Sequence, residues 1–450
     1  MLKNSAITHV DTIAAQATAH GRGGIAIVRI SGSLVQKIMH DILQQTLEPR
    51  LAHYLPFLDT NAQAIDEGLA LFFPSPNSFT GEDVLELHGH GGPVVVDMLL
   101  QRILNLGARL AKPGEFSERA FLNNKIDLTQ AEAIADLIDA SSEQAARLAL
   151  RSLQGEFAKK IDELNHNIIQ LRMHIESAID FADEEIDFLS IEKLAVAFTE
   201  VLNAIEKIQT QAQQGSLLRE GFAAVIIGEP NVGKSSLLNR LSGKEIAIVT
   251  DIAGTTRDIL RDHILIDDIP MHIIDTAGLR DSSDRVEQEG IRRAYAEIEK
   301  ADLILYVTDK AIDDANLPEN IISRPHILIH NKIDLSHTAA QIENKNEKTI
   351  IYLSAKSGEG IDLLKQQIKH KIGFKKEGQG IFLARRRHLD ALARAYAHLQ
   401  AGLQQLRLTK ATELIAEDLR LAQRALNEIT GEFTADDLLG KIFANFCIGK

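Results

Sequence analysis

Gly228-Glu229-Pro230-Asn231-Val232-Gly233-Lys234-Ser235 is the stretch that decides the fold. Its spacing, G-x-x-x-x-G-K-S, is that of a loop that wraps phosphates. The apolar run Ala223 to Ile227 before it reads as a strand, and Ser236 to Leu241 after it starts a helix. Glycines let successive backbone N–H groups turn toward an anion, and the helix N-terminus adds favourable partial charge. Lys234 is placed to reach the β- and γ-phosphates, and the Ser235 hydroxyl to hold Mg²⁺. A chance match in an unrelated loop is the bland alternative, and the flanking strand and helix weigh against it.

Three downstream elements extend the reading. Asp275-Thr276-Ala277-Gly278 follows the apolar run Met271 to Ile274. Its Asp suits the Mg²⁺ shell, and Gly278 can offer its N–H to the γ-phosphate. Asn331-Lys332-Ile333-Asp334 follows the run Ile327 to His330. Asp334 can accept from both N1–H and the 2-amino group of guanine. Adenine lacks that donor edge and would leave the carboxylate unpaired, so the motif selects GTP over ATP. Ser354-Ala355-Lys356 follows Ile350 to Leu353 and would close over the base. Four motifs in this order, each at a strand's carboxyl end, predict a parallel α/β sheet with its ligand at that edge. The predicted nucleotide contacts are Asn231 through Ser236, Thr250 through Thr256, Asp275 through Gly278, Asn331, Lys332, Asp334 and Ser354 through Lys356.

The residues for hydrolysis are less plain. In Ras-like proteins a Gln after the D-x-x-G motif orients the attacking water. Here that position is Leu279, and no arginine finger stands out, although Arg257, Arg280 and Arg285 lie nearby. In Thr250-Asp251-Ile252-Ala253-Gly254-Thr255-Thr256, Thr256 suits the Mg²⁺ shell. The small Ala253 and Gly254 let carbonyls turn inward. With the Asn231 side chain these could ligate a monovalent cation where an arginine finger acts. An ordinary switch loop, with Asn231 bracing the phosphate loop, fits the residue types equally well. For water, Glu287 is the best carboxylate, with Glu289 and Asp284 as competitors and plain surface charge as the bland alternative.

Outward from this core, 450 residues imply about three domains. Hydrophobic residues make up 45% and charged residues 25%, the profile of a soluble globular protein. Cys447 is the one cysteine, which excludes an intramolecular disulfide and fits a reducing cytoplasm. No secretory signal or membrane-spanning run is evident. The net charge of −14 excludes nucleic-acid binding through the overall field. Arg385, Arg386 and Arg387 form a local basic run, read equally as an RNA contact or a solvated helix start.

Residues 1–115 read as mixed α/β, with strands at Ile25 to Ile30, Gly68 to Phe73 and Asp83 to Leu87 and a helix over Val94 to Leu106. Gly89-His90-Gly91-Gly92 reads as a tight turn opening that helix rather than a phosphate loop. His88 and His90 lack an evident third ligand for a metal. Residues 117–214 read as long amphipathic helices. Their acidic cluster, Asp180, Asp183, Glu184, Glu185 and Asp187, reads as a solvated break. Gln211 to Ser216 and Lys369 to Gly380 read as linkers around the alternating segment 217–370, and 381–440 returns to helix. The simplest architecture packs the two helical stretches together with the α/β domain inserted between them.

Further stretches fix a resemblance: Asp11-Thr12-Ile13-Ala14-Ala15-Gln16-Ala17-Thr18, Gly21-Arg22-Gly23-Gly24, Arg29-Ile30-Ser31-Gly32, Pro113-Gly114-Glu115-Phe116, Arg119-Ala120-Phe121-Leu122-Asn123 and the terminal Cys447-Ile448-Gly449-Lys450. Over essentially its whole length the chain resembles the MnmE (TrmE) family of tRNA modification GTPases, with no clear departure from that family's motifs. The resemblance implies a multidomain α/β plus α fold. An N-terminal α+β folate-binding and dimerisation domain would span 1–116. A helical domain would occupy 117–214 and 373–450, interrupted by an inserted Ras-like G domain at 215–372. It implies potassium held by Asn231, Thr250, Ile252 and Thr255, Mg²⁺ held by Ser235 and Thr256, and G domains that dimerise. It selects Glu287 to orient water, beside Lys234, and gives Cys447 a reactive role; a buried structural thiol is the bland alternative.

It also implies a purpose. Working as a homodimer with the flavoprotein MnmG, which supplies FAD, such proteins add an aminomethyl or carboxymethylaminomethyl group to C5 of the wobble uridine of certain tRNAs. The one-carbon unit comes from a 5-formyl- or methylene-tetrahydrofolate bound by Arg29, Glu86, Lys125 and Lys450. A pterin presents the same N–H and amino edge as guanine, which suits Glu86, and cations suit the glutamate tail. A GTP-switched RNA-binding or ribosome-assembly factor is the competing reading. Under it the N-terminal region and the Cys-x-Gly-Lys tail would be idle. An ATPase is disfavoured by Asp334.

Overall fold

Ala26, Val28 and Ile30 are buried in alternation along one strand, and this period of two sets the architecture of the N-terminal region. The computed structural model describes residues 11–180, 191–242, 262–274, 299, 301–310, 319–336, 338–345, 348–374, 381–408, 411–432, 442–444, 446 and 449. They fall into two compact units. One comprises Met1–Ala135, Leu153–Asn165 and Gln423–Lys450, and the other Asp136–Ser152 and His166–Ala422.

In the first unit the chain runs β1 (Ile13–Gln16), β2 (Gly23–Ser31), α1 (Val35–Leu43), β3 (His53–Leu58), β4 (Ala64–Phe73), β5 (Val84–Gly91), α2 (Pro93–Asn105), β6 (Arg109–Leu110), α3 (Glu115–Leu122) and most of α4 (Leu128–Ile138). The sheet order is β3-β4-β5-β2-β1-β6, antiparallel except for β6 against β1. One face buries Val28, Ile30, Phe57, Phe72, Leu85 and Leu87 against α1 and α2. The other face carries Arg29 opposite Glu86, with Leu71 next in the row. Helix α4 starts with a reciprocal cap. Asp127 Oδ1 accepts from the Gln130 N–H at 2.9 Å, and Gln130 Oε1 accepts from the Asp127 N–H at 3.0 Å. Leu128 and Ala131 then pack with Ile442, Phe443 and Phe446, which draws the C-terminal segment onto this unit.

Then come α5 (Glu143–Leu153), α6 (Glu156–Asp180), α7 (Ile191–Glu220), β7 (Phe222–Ile227), α8 (Lys234–Ser242), β8 (Asp262–Ile266), β9 (Ile269–Ile274), β10 (Leu303–Thr308), α9 (Glu319–Ile322), β11 (His326–His330), α10 (Ile333–Ser336), β12 (Gln341–Lys345), β13 (Lys348–Tyr352), α11 (Ile361–Lys371), α12 (Arg386–Leu408) and α13 (Thr412–Thr430). In the second unit the sheet order is β12-β13-β11-β10-β7-β9-β8, parallel from β13 to β9 with antiparallel edges. Its inner strands are buried on both faces, so they read as continuous runs such as Leu303-Ile304-Leu305 rather than as alternation. Helix α7 packs along α12 in the same unit. The strands predicted before each nucleotide motif are all present within a residue or two. No described helix is long and apolar enough to cross a membrane.

Three expectations change. Gln211 to Ser216 is not a linker but lies inside α7. Gln214 is buried there and donates to Gly373 O at 2.8 Å, and Gly215 brings the helix against the backbone of 382, where a Cβ would collide with the Phe382 carbonyl. Gly89-His90-Gly91 is strand, not turn: β5 runs through Gly91, and α2 starts directly from Gly92 with Pro93 at its first position. Side chains at Gly89 and Gly91 would collide with Asp66 and with the Gly23 carbonyl, which explains the glycines without a turn. The second linker is shorter than expected. Helix α11 runs to Lys371 and closes with Phe374 N–H on Lys369 O at 2.8 Å; residues 375–380 lie outside the described residues.

Candidate functional site

Two close approaches shape the glycine loop after β7. Gly228 has φ 151, and a Cβ there would meet Val307 O at 2.0 Å; Gly233 has φ 98, and a Cβ there would meet Asn331 Nδ2 at 2.3 Å. Only glycine permits both. Asn231 also takes a positive φ of 64, which asparagine tolerates better than most residues. Lys234 opens α8 and curls back, with Nζ donating to Gly228 O and Glu229 O at 2.7 Å each. The ammonium thus sits in the mouth of a loop built to surround an anion. Ser235 and Ser236 follow in the first turn of α8, and Val232 is buried beneath them.

The residues predicted to recognise the base arrive at the same edge. Asn331 donates from Nδ2 to Val232 O at 2.8 Å and accepts at Oδ1 from the Ala355 N–H at 2.9 Å, so one side chain joins three motifs. Asp334 lies in α10, where its Oδ1 accepts from Ser354 Oγ at 2.7 Å. That bond orients the carboxylate without neutralising it. Lys332, at φ 68, places its ammonium 2.6 Å from Asp309 and holds that carboxyl below its ordinary range. Arg240, which no motif announced, donates from α8 to Ala355 O at 3.3 Å and Lys356 O at 2.5 Å. It ties the third motif to the helix of the first. The sequence held no signal for it, because its partners are carbonyls more than a hundred residues away.

The remaining nucleotide and hydrolysis positions lie outside the described residues: Thr250, Asp251, Ile252, Ala253, Gly254, Thr255, Thr256, Asp275, Thr276, Ala277, Gly278, Glu287, Glu289 and Asp284, together with Arg257, Arg280 and Arg285.

In the other unit, Arg29 and Glu86 meet across β2 and β5 with Nε 2.8 Å from Oε1. His88 Nε2 lies 3.1 Å from the second carboxylate oxygen. Burial would raise the Glu86 pKa, but the His88 bond and the Arg29 charge and bond pull it below the ordinary carboxylate value. It is therefore an anion at neutral pH. The Arg29 guanidinium lies 5.8 Å from the Phe79 ring and 5.7 Å from the Phe116 ring, and donates to Gly449 O at 3.4 Å. The C-terminal tail thus reaches the same side chains. Cys447 and Lys450 themselves lie outside the described residues. Lys125 Nζ donates to Pro76 O at 2.8 Å, in the loop that also carries Phe79, and among the described residues it makes no hydrogen bond to Arg29 or Glu86. His90 pairs with Asp66 at 2.7 Å rather than with His88. Among the described residues no group of three or more His, Cys, Asp or Glu could hold a metal.

Comparison with known proteins bears on the whole chain. The family model for the N-terminus of the GTP-binding protein TrmE matches residues 12–125, and that for the MnmE helical domain matches residues 128–447. A tRNA modification GTPase MnmE from Histophilus somni is 57% identical over 452 residues, covering 98% of this chain and 99% of the relative. One from Vibrio cholerae is 57% identical over 453 residues with the same coverage. A solved structure of Era from Aquifex aeolicus is 26% identical over 39% of this chain and 66% of its own, at a TM-score of 0.25, too low to carry weight. With family models matched end to end and relatives alike over nearly their full length, the chain belongs to the MnmE (TrmE) family of tRNA modification GTPases.

Proposed function

We propose that this protein is a potassium-dependent GTP hydrolase that acts with the flavoprotein MnmG. Together they would add an aminomethyl or carboxymethylaminomethyl group to C5 of the wobble uridine of certain tRNAs, using a tetrahydrofolate one-carbon unit. The observation that supports it most is the meeting of Lys234, Asn331 and the Asp334–Ser354 pair at one sheet edge. The G domain is taken as 215–372, inserted between helical parts 117–214 and 373–450, with the folate-binding and dimerisation domain at 1–116.

In this reading the phosphates take over Lys234 from the Gly228 and Glu229 carbonyls, so the bound anion replaces contacts the free loop makes to itself. The loop's N–H groups from Asn231 to Ser236 surround the phosphates. Ser235 and Thr256 would hold Mg²⁺, and Asp275 to Gly278 would serve the metal shell and the γ-phosphate; the metal would neutralise charge developing on the transferred group. Asn231, Thr250, Ile252 and Thr255 would hold potassium, and Asp251, Ala253 and Gly254 would line the nucleotide. Glu287 orients water, a role that Leu279 has no atoms for. Asp334 receives the guanine edge while Lys332, Ala355 and Lys356 cover the base. In the N-terminal unit, Glu86 would accept the pterin edge, and Arg29, Lys125 and Lys450 would hold the folate. The Arg29–Glu86 pair fits that group chemically, since it sets an ionised acceptor beside a cation and two aromatic rings. Cys447 would supply a thiol on the same tail.

A steady-state GTPase assay tests the hydrolytic part. Turnover should rise at least about tenfold when potassium replaces sodium, the scale of one electrostatic contact to a transition state. In the same assay Glu287→Ala should bind GTP as wild type does and lose at least about a hundredfold in kcat. Equal rates in the two salts would remove the cation. Hydrolysis retained by the variant would remove Glu287 from its role.

A further inference from the structure

The residue that follows Gly228 in the phosphate loop is a glutamate, an awkward choice where a polyphosphate is to bind. Glu229 does not stand alone. Its Oε2 lies 2.6 Å from Lys310 Nζ. Lys310 sits just past the end of β10, and its main chain is fixed there. Its N–H donates to Thr308 Oγ1 at 3.1 Å, and its carbonyl faces His330 Nδ1 at 3.0 Å. The preceding residue, Asp309, holds Lys332. The dipeptide Asp309-Lys310 therefore touches the phosphate loop through one side chain and the base motif through the other.

We propose that Lys310 is a positioning residue for nucleotide binding, which neutralises the Glu229 carboxylate and so removes a fixed negative charge from the rim of the phosphate site. The inference rests on the guanine-nucleotide reading of this site and goes beyond it by naming a residue outside every nucleotide motif. The pair is well exposed, 67% for Lys310 and 54% for Glu229, so it adds little to folding. Its effect appears when a ligand of several negative charges arrives. A carboxylate left uncompensated on that rim repels each phosphate charge, and in largely aqueous surroundings this amounts to roughly a fivefold loss of affinity. The loss shrinks in salt, because the charges are screened.

Neutralisation makes a signed prediction that a mechanical latch does not. Lys310→Ala should weaken binding of mant-GTP about fivefold in about 0.05 M potassium chloride, and the loss should shrink toward unity in about 0.5 M. It should raise KM for GTP and leave kcat unchanged. Glu229→Ala should bind at least as tightly as wild type, since it removes the repelling charge itself. The double variant should return to within about twofold of wild type, because Lys310 has nothing left to neutralise. Equal weakening by both single variants would overturn the proposal in favour of a latch. No weakening by Lys310→Ala, or a loss that persists in the double variant, would overturn it outright. Wild-type protein that binds no mant-GTP would instead sink the guanine-nucleotide reading, so the two failures are told apart in one titration.

Discussion

Asp334→Ala is expected to lose at least about a hundredfold in GTP affinity and, with it, the preference for GTP over ATP. Two hydrogen bonds from the base to an ionised acceptor contribute about 1.5–3 kcal/mol each, so their joint loss reaches or passes two decades. The structure argues that the loss is specific. Asp334 lies in the first turn of the short helix α10, and its one partner among the described residues is the Ser354 hydroxyl at 2.7 Å. Removing the carboxylate breaks a single neutral-to-charged bond within the protein. It leaves Asn331, which joins the phosphate loop to Ala355, undisturbed. The fold and the phosphate contacts should therefore survive, and ATP binding should change little. Competition titrations with GTP and ATP on wild type and variant check this. A variant that still discriminates by more than about tenfold would move base recognition elsewhere.

Arg119→Met should produce the largest loss of stability of any single change in the N-terminal unit, about 3–5 kcal/mol. The Arg119 guanidinium is fully buried and reaches three carboxylates: Asp11 at 2.9 Å, Glu82 at 3.1 Å and Glu115 at 3.1 Å. Arg109 shares Asp11 and Glu115. Among the described residues two cations thus face three anions, and deleting the buried one leaves Glu82 with the Ser31 hydroxyl and no cation, and overloads Arg109. The effect also has a pH signature. Burial raises the Glu115 pKa, but bonds from Arg109, the Lys112 N–H and Arg119 outweigh it and leave the carboxyl below its ordinary value; Asp11 is lowered in the same way by Arg109 and Arg119. Groups depressed in the folded state add stability that is complete above the ordinary carboxylate pKa of about 4. That stability is lost as pH falls through their folded values. The gap between wild type and Arg119→Met should be widest at neutral pH and close on acidification. Denaturant midpoints across that range measure it. A gap under about 1 kcal/mol at neutral pH would contradict the account.

These two sites also mark how much was legible in the sequence. The nucleotide motifs were readable because each is local: a few residues at fixed spacing, set between an apolar strand and a turn or helix. The structure brings those it describes to one edge of the sheet. Arg119 was visible only as part of a family stretch. Its partners Asp11 and Glu82 lie far along the chain, and no spacing rule connects residues that meet only after β1, β5 and α3 have packed. The supposed linker at Gln211 to Ser216 misled for a related reason. Glutamine and serine look like loop when read locally, whereas the buried Ala212 and Leu218 carry the apolar face of α7 straight through that segment. Strand β12, with its polar Gln341-Ile342-Glu343-Asn344-Lys345, escaped notice because an edge strand needs only one apolar side. At the N-terminal site the Arg29–Glu86 pair is a cross-strand contact, and period-two reading places both residues on a face without saying that they touch.

Nucleoside mass spectrometry of tRNA from cells lacking this protein tests the central proposal most directly. The account predicts wobble uridines that have lost their C5 aminomethyl-type groups, restored by the wild-type gene and not by Glu287→Ala. An unchanged nucleoside profile, in cells with no second enzyme for the same step, would contradict it and leave a GTP-binding protein whose output is something other than tRNA chemistry.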